Sequence, residues 1–203
     1  MPTGIKIFNV TGELHFETGT HVLATVPKFA EKIGEIAVAW AVTEGHLGCY
    51  YGSLLETTPN EALKKIGRMS AAGLANNAKK FAEEKLAGAE LETILYLLKK
   101  LDSVRIRRNR IQHDIWSRRV TDPQVLYAVH VDDYRRLLHE MAKLGNETDP
   151  AVSADRAIDI ANQYAANSEN AFTLVDLEEI RANLELTSDG LFKAFISKVS
   201  AGG

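Results

Sequence analysis

The chain has 203 residues, of which 45% are hydrophobic and 25% are charged, and its formal net charge at pH 7 is −3. These values are typical of a folded globular protein and argue against a disordered or fibrous chain. Because the overall charge is negative, any affinity for nucleic acid must come from a local basic surface.

The cysteine count and the N-terminus limit the class of protein further. Cys49 is the single cysteine, which excludes an intrachain disulfide and a cysteine-based zinc site. The first ten residues, MPTGIKIFNV, lack the basic flank and the apolar core of a signal peptide. No apolar run approaches the roughly 18 residues of a membrane helix. We therefore expect a cytoplasmic protein with no membrane partner.

The N-terminal quarter predicts a short extended segment followed by a long helix. Residues 5–17 partly alternate between apolar and polar side chains around Thr11-Gly12, which favours a hairpin or an extended arm. From about residue 25 to residue 56, apolar side chains recur every three or four positions, and Pro27 suits the first turn of a helix.

The rest of the chain also reads mostly as helices. Residues 60–86 predict a helix or a helix pair, and residues 87–116 predict a strongly periodic helix. A further helix is predicted over residues 132–144, directly before a glycine. Residues 117–131 read as irregular or weakly strand-like. Ser153 is predicted to cap the next helix, and Thr173 with Asp176 has the pattern of a capping box for the last one.

These elements predict an all-α fold, a bundle of about five to six helices with a possible short hairpin or arm in front. We assign residues 1–22 to the N-terminal arm or hairpin and residues 23–200 to the helical domain. The sequence contains no internal repeat and no low-complexity segment.

One segment, RIRRNRIQHDIW at residues 105–116, places polar side chains where the apolar stripe of a helix should continue. At about 100° per residue, two neighbouring stripes consist of Val104, Arg108, Ile111 and Ile115, and of Ile106, Asn109, His113 and Trp116. An uncompensated charge on a buried face is costly. We therefore expect this end of the helix to face a cleft or a partner.

The same region is rich in arginine. Between residues 105 and 119 the basic side chains are Arg105, Arg107, Arg108, Arg110, Arg118 and Arg119, against one acid, Asp114. The planar guanidinium suits a pair of phosphate oxygens, and His113 adds a group that exchanges a proton near neutral pH. Fixed positive charge beside a proton carrier is what phosphodiester chemistry needs. Arg108 and His113 lie about 140° apart on an ideal helix, so they converge only if the arginine reaches or the helix ends locally.

The hexapeptide RNRIQH, residues 108–113, resembles the RNxxxH motif of HEPN domains (higher eukaryotes and prokaryotes nucleotide-binding). These are all-helical modules, and many of them are metal-independent endoribonucleases. A long early helix containing AWAVTEGHLGCYYGSLL and a final helix with TLVDLEEIRANLE also look like a bacterial branch of the family. The resemblance implies a HEPN-like helical bundle, although only the motif is specific.

The resemblance also implies roles for individual residues. Arg108 would orient or neutralise the scissile phosphate, His113 would act as general acid or base, and Asn109 would position the histidine or the RNA. Two motif helices meet across a two-fold axis in the family, which implies a homodimer with both histidines in a composite site. RNA or a nucleotide is the expected ligand, and an antitoxin or other regulatory protein is a possible further partner.

Other residues near the motif have supporting roles in this interpretation. Further RNA or phosphate contacts are expected from four arginines: Arg105, Arg110, Arg118 and Arg119. Glu44 follows the stripe of the long early helix and could be an acidic partner of the motif arginines or simply a structural ion-pairing residue. Trp116 fits core or interface packing better than base stacking. Asp114 stands where many relatives have glycine, so it could compete with phosphate for Arg108.

Two other interpretations remain open. The domain could be a non-catalytic HEPN-type module that binds a nucleotide, RNA or a protein without needing His113 for turnover. It could also be a structural helical dimer in which Arg108 and His113 pair with acids such as Glu44 or Asp114. Because no metal-binding pattern and no phosphate-cradling glycine loop occurs in the sequence, we expect neither a metal nor a cofactor.

Overall fold

The computed structural model describes residues 4–201; residues 1–3 of the predicted N-terminal arm lie outside the described residues, as do the last two residues. The α-helices in this range are α1 His21–Ala24, α2 Pro27–Leu54, α3 Pro59–Ile66, α4 Ala71–Lys85, α5 Gly88–His113, α6 Val131–Leu144, α7 Pro150–Tyr164 and α8 Leu174–Ala201. The strands are β1 Gly4–Phe8, β2 Leu14–Gly19, β3 Ile115–Arg119, β4 Leu126–Val129 and β5 Ala171–Phe172. A short 3₁₀ turn, Ser168–Asn170, precedes β5.

The prediction of an all-α bundle of five to six helices is wrong. Helices make up 71% of the protein, but 11% lies in a five-stranded antiparallel sheet of order β1-β2-β3-β4-β5. The fold is therefore α-rich but mixed. The central pairing joins β2 to β3 through partners such as Thr18 and Ser117, which are far apart in sequence. The local spacing of apolar residues does not reveal a pairing between strands so far apart in the sequence, because strand formation depends strongly on tertiary context.

Residues 4–19 form an antiparallel hairpin, β1 with β2. The side-chain oxygen of Asn9 accepts hydrogen bonds from the backbone N–H groups of Thr11 and Glu13, at 3.0 and 2.9 Å. Gly12 has a φ of 82°, which glycine adopts without steric cost. Asn9 and Gly12 thus determine the turn. The second strand of the hairpin, β2, also pairs with β3 and so joins the hairpin to the rest of the sheet.

The helix signals in the sequence have mixed outcomes. The long early helix is confirmed as α2, with Pro27 as its first residue. The capping box before α8 is also confirmed, because Thr173 N donates to the Asp176 carboxylate at 2.9 Å and Asp176 N donates to Thr173 Oγ1 at 3.2 Å. Ser153 is not a cap: it lies inside α7, whose cap is Asp149. The helix begins at Pro150 rather than after Ser153, because proline is favoured in the first turn of a helix.

Two compact units make up the chain: unit 1 runs to Gly34 and includes Asn109–Glu178, whereas unit 2 comprises Glu35–Arg108 and the chain from Glu179. Unit 1 contains the sheet. Its buried core joins strands β1, β2 and β4 to helices α6 and α7 through Ile7, Phe16, Tyr127, Val129, Leu137, Ala161 and Ala165. Each large apolar side chain that is fully buried in this way contributes roughly 1.5–3 kcal/mol of transfer free energy.

Unit 2 is built from helices. Thr43 Oγ1 donates to the Leu184 carbonyl at 3.3 Å, which joins α2 to α8. A Cβ placed on Gly190 would lie 2.7 Å from the Leu97 side chain, so glycine permits the close approach of α8 to α5. No helix between residues 4 and 201 combines the length and the apolar composition that a membrane crossing requires.

Candidate functional site

The RNxxxH motif occupies the last turns of α5. The helix ends at His113, Asp114 N still donates to the Arg110 carbonyl at 3.0 Å, and β3 begins at Ile115. Ile115 pairs with Val129 of β4, which draws the backbone into the sheet. The predicted continuation of the helix to residue 116 is therefore wrong, and the last members of both predicted helical stripes lie on a strand.

Arg108 belongs to unit 2, since the boundary between the units falls directly after it. Its guanidinium carbon lies 5.0 Å from the centre of the Trp40 ring, a cation–π contact. Burial lowers the pKa of Arg108, and the nearby charge of Glu44 acts in the opposite direction. Arginine stays protonated at neutral pH despite such shifts. Packing and electrostatics therefore hold a half-buried positive charge in the motif, with Glu44 as its acidic neighbour.

Two other arginines of unit 2 pair with carboxylates. Arg105 Nη2 lies 2.6 Å from Asp102 Oδ1, three residues earlier on α5. Arg107 Nη1 lies 3.5 Å from Glu179 Oε2 on α8. Both pairs are largely solvent-exposed, so each contributes little to stability. They do reduce the net positive charge on this part of α5.

His113, the predicted proton carrier, lies in unit 1 and is exposed. Within residues 4–201, its ring has neither a hydrogen-bond partner nor an ion-pair partner. Asn109, one turn earlier, is partly buried. An exposed imidazole without a competing internal partner can exchange a proton with a ligand or with water.

Arg110 is held by unit 1 through all three of its guanidinium nitrogens. Nε donates to Asp114 Oδ2 at 3.2 Å, and Nη1 donates to the Glu169 carbonyl at 3.2 Å. Nη2 donates to the Ala128 carbonyl at 2.9 Å and to Asn170 Oδ1 at 2.5 Å. These bonds tie the end of α5 to β4 and to the turn before β5. A phosphate at Arg110 would have to compete with these protein acceptors.

Arg118 and Arg119 lie on β3, and each donates a hydrogen bond to a protein acceptor, whereas Arg119 Nε is buried and finds no acceptor within residues 4–201. Arg118 Nε donates to Glu17 Oε1 at 2.5 Å, and the same carboxylate lies 3.0 Å from His21 Nε2. Arg119 Nη2 donates to the Ala166 carbonyl at 2.9 Å, and its guanidinium lies 5.5 Å from the Tyr127 ring centre. Both arginines therefore connect parts of unit 1.

Trp116 is a packing residue of unit 1. Only 6% of its surface is exposed, and its ring meets Phe172 edge to face at a centroid distance of 5.9 Å. The side chain thus packs β3 against β5. The expectation of core packing rather than base stacking agrees with this position.

The structure adds partners that inspection of the motif did not identify. The count of one acid between residues 105 and 119 overlooks Asp102, Glu17 and Glu179, which all pair with arginines of the region. Asp102 could have been found from its i,i+3 spacing to Arg105. Glu17 and Glu179 have no local signal, since the fold brings them to the arginines. Asn170, which accepts a hydrogen bond from Arg110, has no local signal in the sequence either.

The chain matches no known family model, and no curated protein and no solved structure is significantly similar to it. The HEPN resemblance accordingly rests on the sequence motif and its surroundings alone. Within the described range, 4–201, no three His, Cys, Asp or Glu side chains are grouped closely enough to hold a metal ion.

Proposed function

We propose that this protein is a HEPN-type endoribonuclease that works without a metal ion. The observation that supports this most is the position of the motif: RNxxxH ends α5, and its histidine is exposed and has no internal partner within residues 4–201. The proposal concerns the motif and its chemistry, since the fold is mixed rather than an all-α bundle.

The reaction is an in-line attack by a ribose 2′-hydroxyl on the adjacent phosphorus. The bond from O2′ to phosphorus forms while the bond from phosphorus to O5′ breaks, which leaves a 2′,3′-cyclic phosphate and a 5′-hydroxyl. One proton leaves O2′ and another is delivered to O5′, which are the two steps that His113 can serve as general base or acid. By resemblance, Arg108 stabilises the phosphate charge and Asn109 positions the histidine or the RNA.

A homodimer is part of the proposal, because two histidines would divide the two proton transfers. Self-association is favoured by an exposed apolar surface of unit 2, the α2–α8 surface, formed by Val38, Ala41, Val42, Gly45, Phe192 and Ile196. This surface contains no residue of the motif helix α5, so it supports dimer formation and not the meeting of the two histidines. His46 stacks on Phe192 with ring centres 4.8 Å apart, which makes the two helices one continuous surface. A solvated helix face ordinarily carries charges, yet Glu44 is the one charged residue between Glu35 and Glu56.

The occupant that fits this surface is a second copy of the chain. If two α2 helices pair antiparallel about a two-fold axis between Ala41 and Val42, Val38 of each copy lies opposite Gly45 of the other. Ala41 then lies opposite Val42, so that a large side chain meets a small one at every step. The space beside Gly45 is open, with no atom within 4 Å of its Cβ position. Such self-complementarity is what an isologous interface requires.

A second candidate is a module that binds RNA without cleaving it. It is favoured by the ion pairs of Arg105, Arg107 and Arg118, since these neutralise much of the charge near the motif. Arg108 would still offer a fixed positive charge beside Trp40. In this case His113 would not be needed for function.

One assay separates the two candidates. Purified full-length protein is incubated in EDTA with a labelled structured RNA and with a DNA of the same sequence, and binding and cleavage are both followed. The ribonuclease proposal requires cleavage of the RNA alone, because DNA lacks the attacking 2′-hydroxyl. Salt-sensitive binding of RNA without cleavage would favour the second candidate. An absence of both would contradict both candidates.

A further inference from the structure

A cleft of about 390 Å³ lies between α4 and α5, within unit 2. Its more buried lining residues, Ala75, Leu95 and Leu98, are apolar and form the floor. Exposed polar side chains form the rim, with Asn76 and Lys79 on the α4 side and Lys99 on the α5 side. An apolar floor with a few polar groups around it is the usual composition of a small-molecule site, and the volume leaves room for one nucleotide.

The four charged residues that line the cleft are two lysines and two acids, and they differ in whether they form ion pairs. Two acids also line the cleft, but each has a basic neighbour: Asp102 lies 2.6 Å from Arg105, and Glu83 lies 3.9 Å from Lys79. Lys99, in contrast, forms no ion pair with any carboxylate of residues 4–201. Because its ammonium group is not held in an ion pair, it can contact a phosphate.

We propose that this cleft binds a single nucleotide of an RNA strand, with the base against the Leu95–Leu98 floor and the phosphate at Lys99. The inference rests on the proposed function, and it assigns a second RNA contact away from the motif. The amide of Asn76 both donates and accepts hydrogen bonds, as the edge of a base does, and it has no hydrogen-bond partner within residues 4–201. Lys99 and Arg108 lie nine residues apart on α5, which is about 13 Å along the helix axis and about 180° around it. The cleft therefore lies on the opposite side of α5 from Arg108 and is assigned to a nucleotide other than the one at the scissile phosphate.

The test uses the full-length protein with AMP, UMP and inorganic phosphate as separate probes, followed by ¹H–¹⁵N NMR. Saturable shifts should cluster at residues 75–83 and 95–102, with AMP or UMP binding more tightly than phosphate. The Lys99→Glu variant should lose about tenfold or more in nucleotide affinity, since it replaces a charge-assisted contact with a repulsive one. Lys80→Glu is the matched control, because Lys80 is an exposed lysine of α4 that does not line the cleft, and it should change affinity less than about twofold.

The same titration separates this inference from the proposed function. The cleft is read by the position of the AMP shifts, at residues 75–83 and 95–102, and not by cleavage, so a failure to cleave RNA would leave the cleft assignment standing. Three results would overturn the assignment even if the protein cleaves RNA: no saturable shift at the cleft, equal affinity for phosphate and for AMP, or unchanged affinity in Lys99→Glu.

Discussion

The guanidinium of Arg110 donates a hydrogen bond to the side-chain oxygen of Asn170, 2.5 Å away and 60 residues later in the chain. Asn170 is 6% exposed, and Arg110 also bonds to Asp114 and to the carbonyls of Ala128 and Glu169. One arginine thus fixes the last turn of α5 to β4 and to the turn before β5. His113 follows three residues later, so this network positions the residue on which the proposed chemistry depends.

Replacing Arg110 with alanine should destabilise the protein by about 2–4 kcal/mol. The change would leave the buried Asn170 side chain without its donor and would remove the partner of the Asp114 carboxylate, which is 7% exposed. Urea denaturation measures the free energy of unfolding. The control is Arg105→Ala, which removes an exposed ion pair with Asp102 and should cost less than about 1 kcal/mol. Equal losses in the two variants would contradict the structural role of Arg110.

The Arg118–Glu17 pair should behave as a buried unit. Glu17 is 2% exposed, so Arg118→Ala leaves a buried carboxylate with His21 as its remaining neighbour and should cost about 3–5 kcal/mol. The double variant Glu17→Gln with Arg118→Met removes both charges and should recover a large part of that loss. Denaturation of the two variants gives the comparison. A double variant that is less stable than Arg118→Ala would show that the pair is not the source of the loss.

Tyr50 should make the stability of the protein fall at high pH. Burial, with a smaller effect of the Glu90 charge, raises the pKa of Tyr50 to about 12. The tyrosine of the unfolded chain ionises near its ordinary pKa of about 10, so it loses its proton first. Stability therefore falls as the pH rises from about 10 to 12, by roughly 2–3 kcal/mol in total.

The Tyr50→Phe variant isolates this effect. It should lack the part of the fall in stability at high pH that the ionisation of Tyr50 causes. At pH 8 it should be within about 1 kcal/mol of the wild type, because the Tyr50 hydroxyl is buried and finds no hydrogen-bond partner within residues 4–201. Denaturation at several pH values tests both statements. Parallel curves for the two proteins above pH 10 would refute the assignment to Tyr50.

The α2–α8 surface predicts self-association. Val42→Glu places a charge at the centre of the proposed two-fold contact, where 48% of the side chain is exposed in a single chain. Sedimentation should show a dimer for the wild type and a monomer for Val42→Glu, with the folded state retained. Leu63→Glu, on the exposed face of α3, is the control and should stay dimeric. A wild type that is monomeric at high micromolar concentration would overturn the dimer proposal.

Sequence reasoning succeeded where the signal is local. The apolar repeat of α2 and the Thr173–Asp176 capping box are both readable within a few residues, and both are present in the structure. The sheet was missed for a physical reason. Ile115 and Trp116 continue the helical stripes of α5, but they form a strand because they pair with Val129 and Ala128 of β4. The rest of β3 pairs with β2, about 100 residues earlier.

The candidate site divides in the same way. The motif itself, from Arg108 to His113, is readable in the sequence, and so is its place at the end of a helix. The acceptors that occupy the surrounding arginines come from β2, α8 and the turn before β5, and they could not be predicted without the fold. Which arginines remain able to meet a phosphate is therefore a tertiary property.

The central claim is that His113 carries protons in RNA cleavage, and the most direct measurement compares His113→Ala with His139→Ala in EDTA. His139 is an exposed histidine of α6, so its loss controls for the removal of a surface imidazole. We expect wild type and His139→Ala to produce 2′,3′-cyclic phosphate ends at similar rates. His113→Ala should be slower by about 10²-fold or more, the usual contribution of general acid–base catalysis. Cleavage that continues unchanged in His113→Ala would contradict the account.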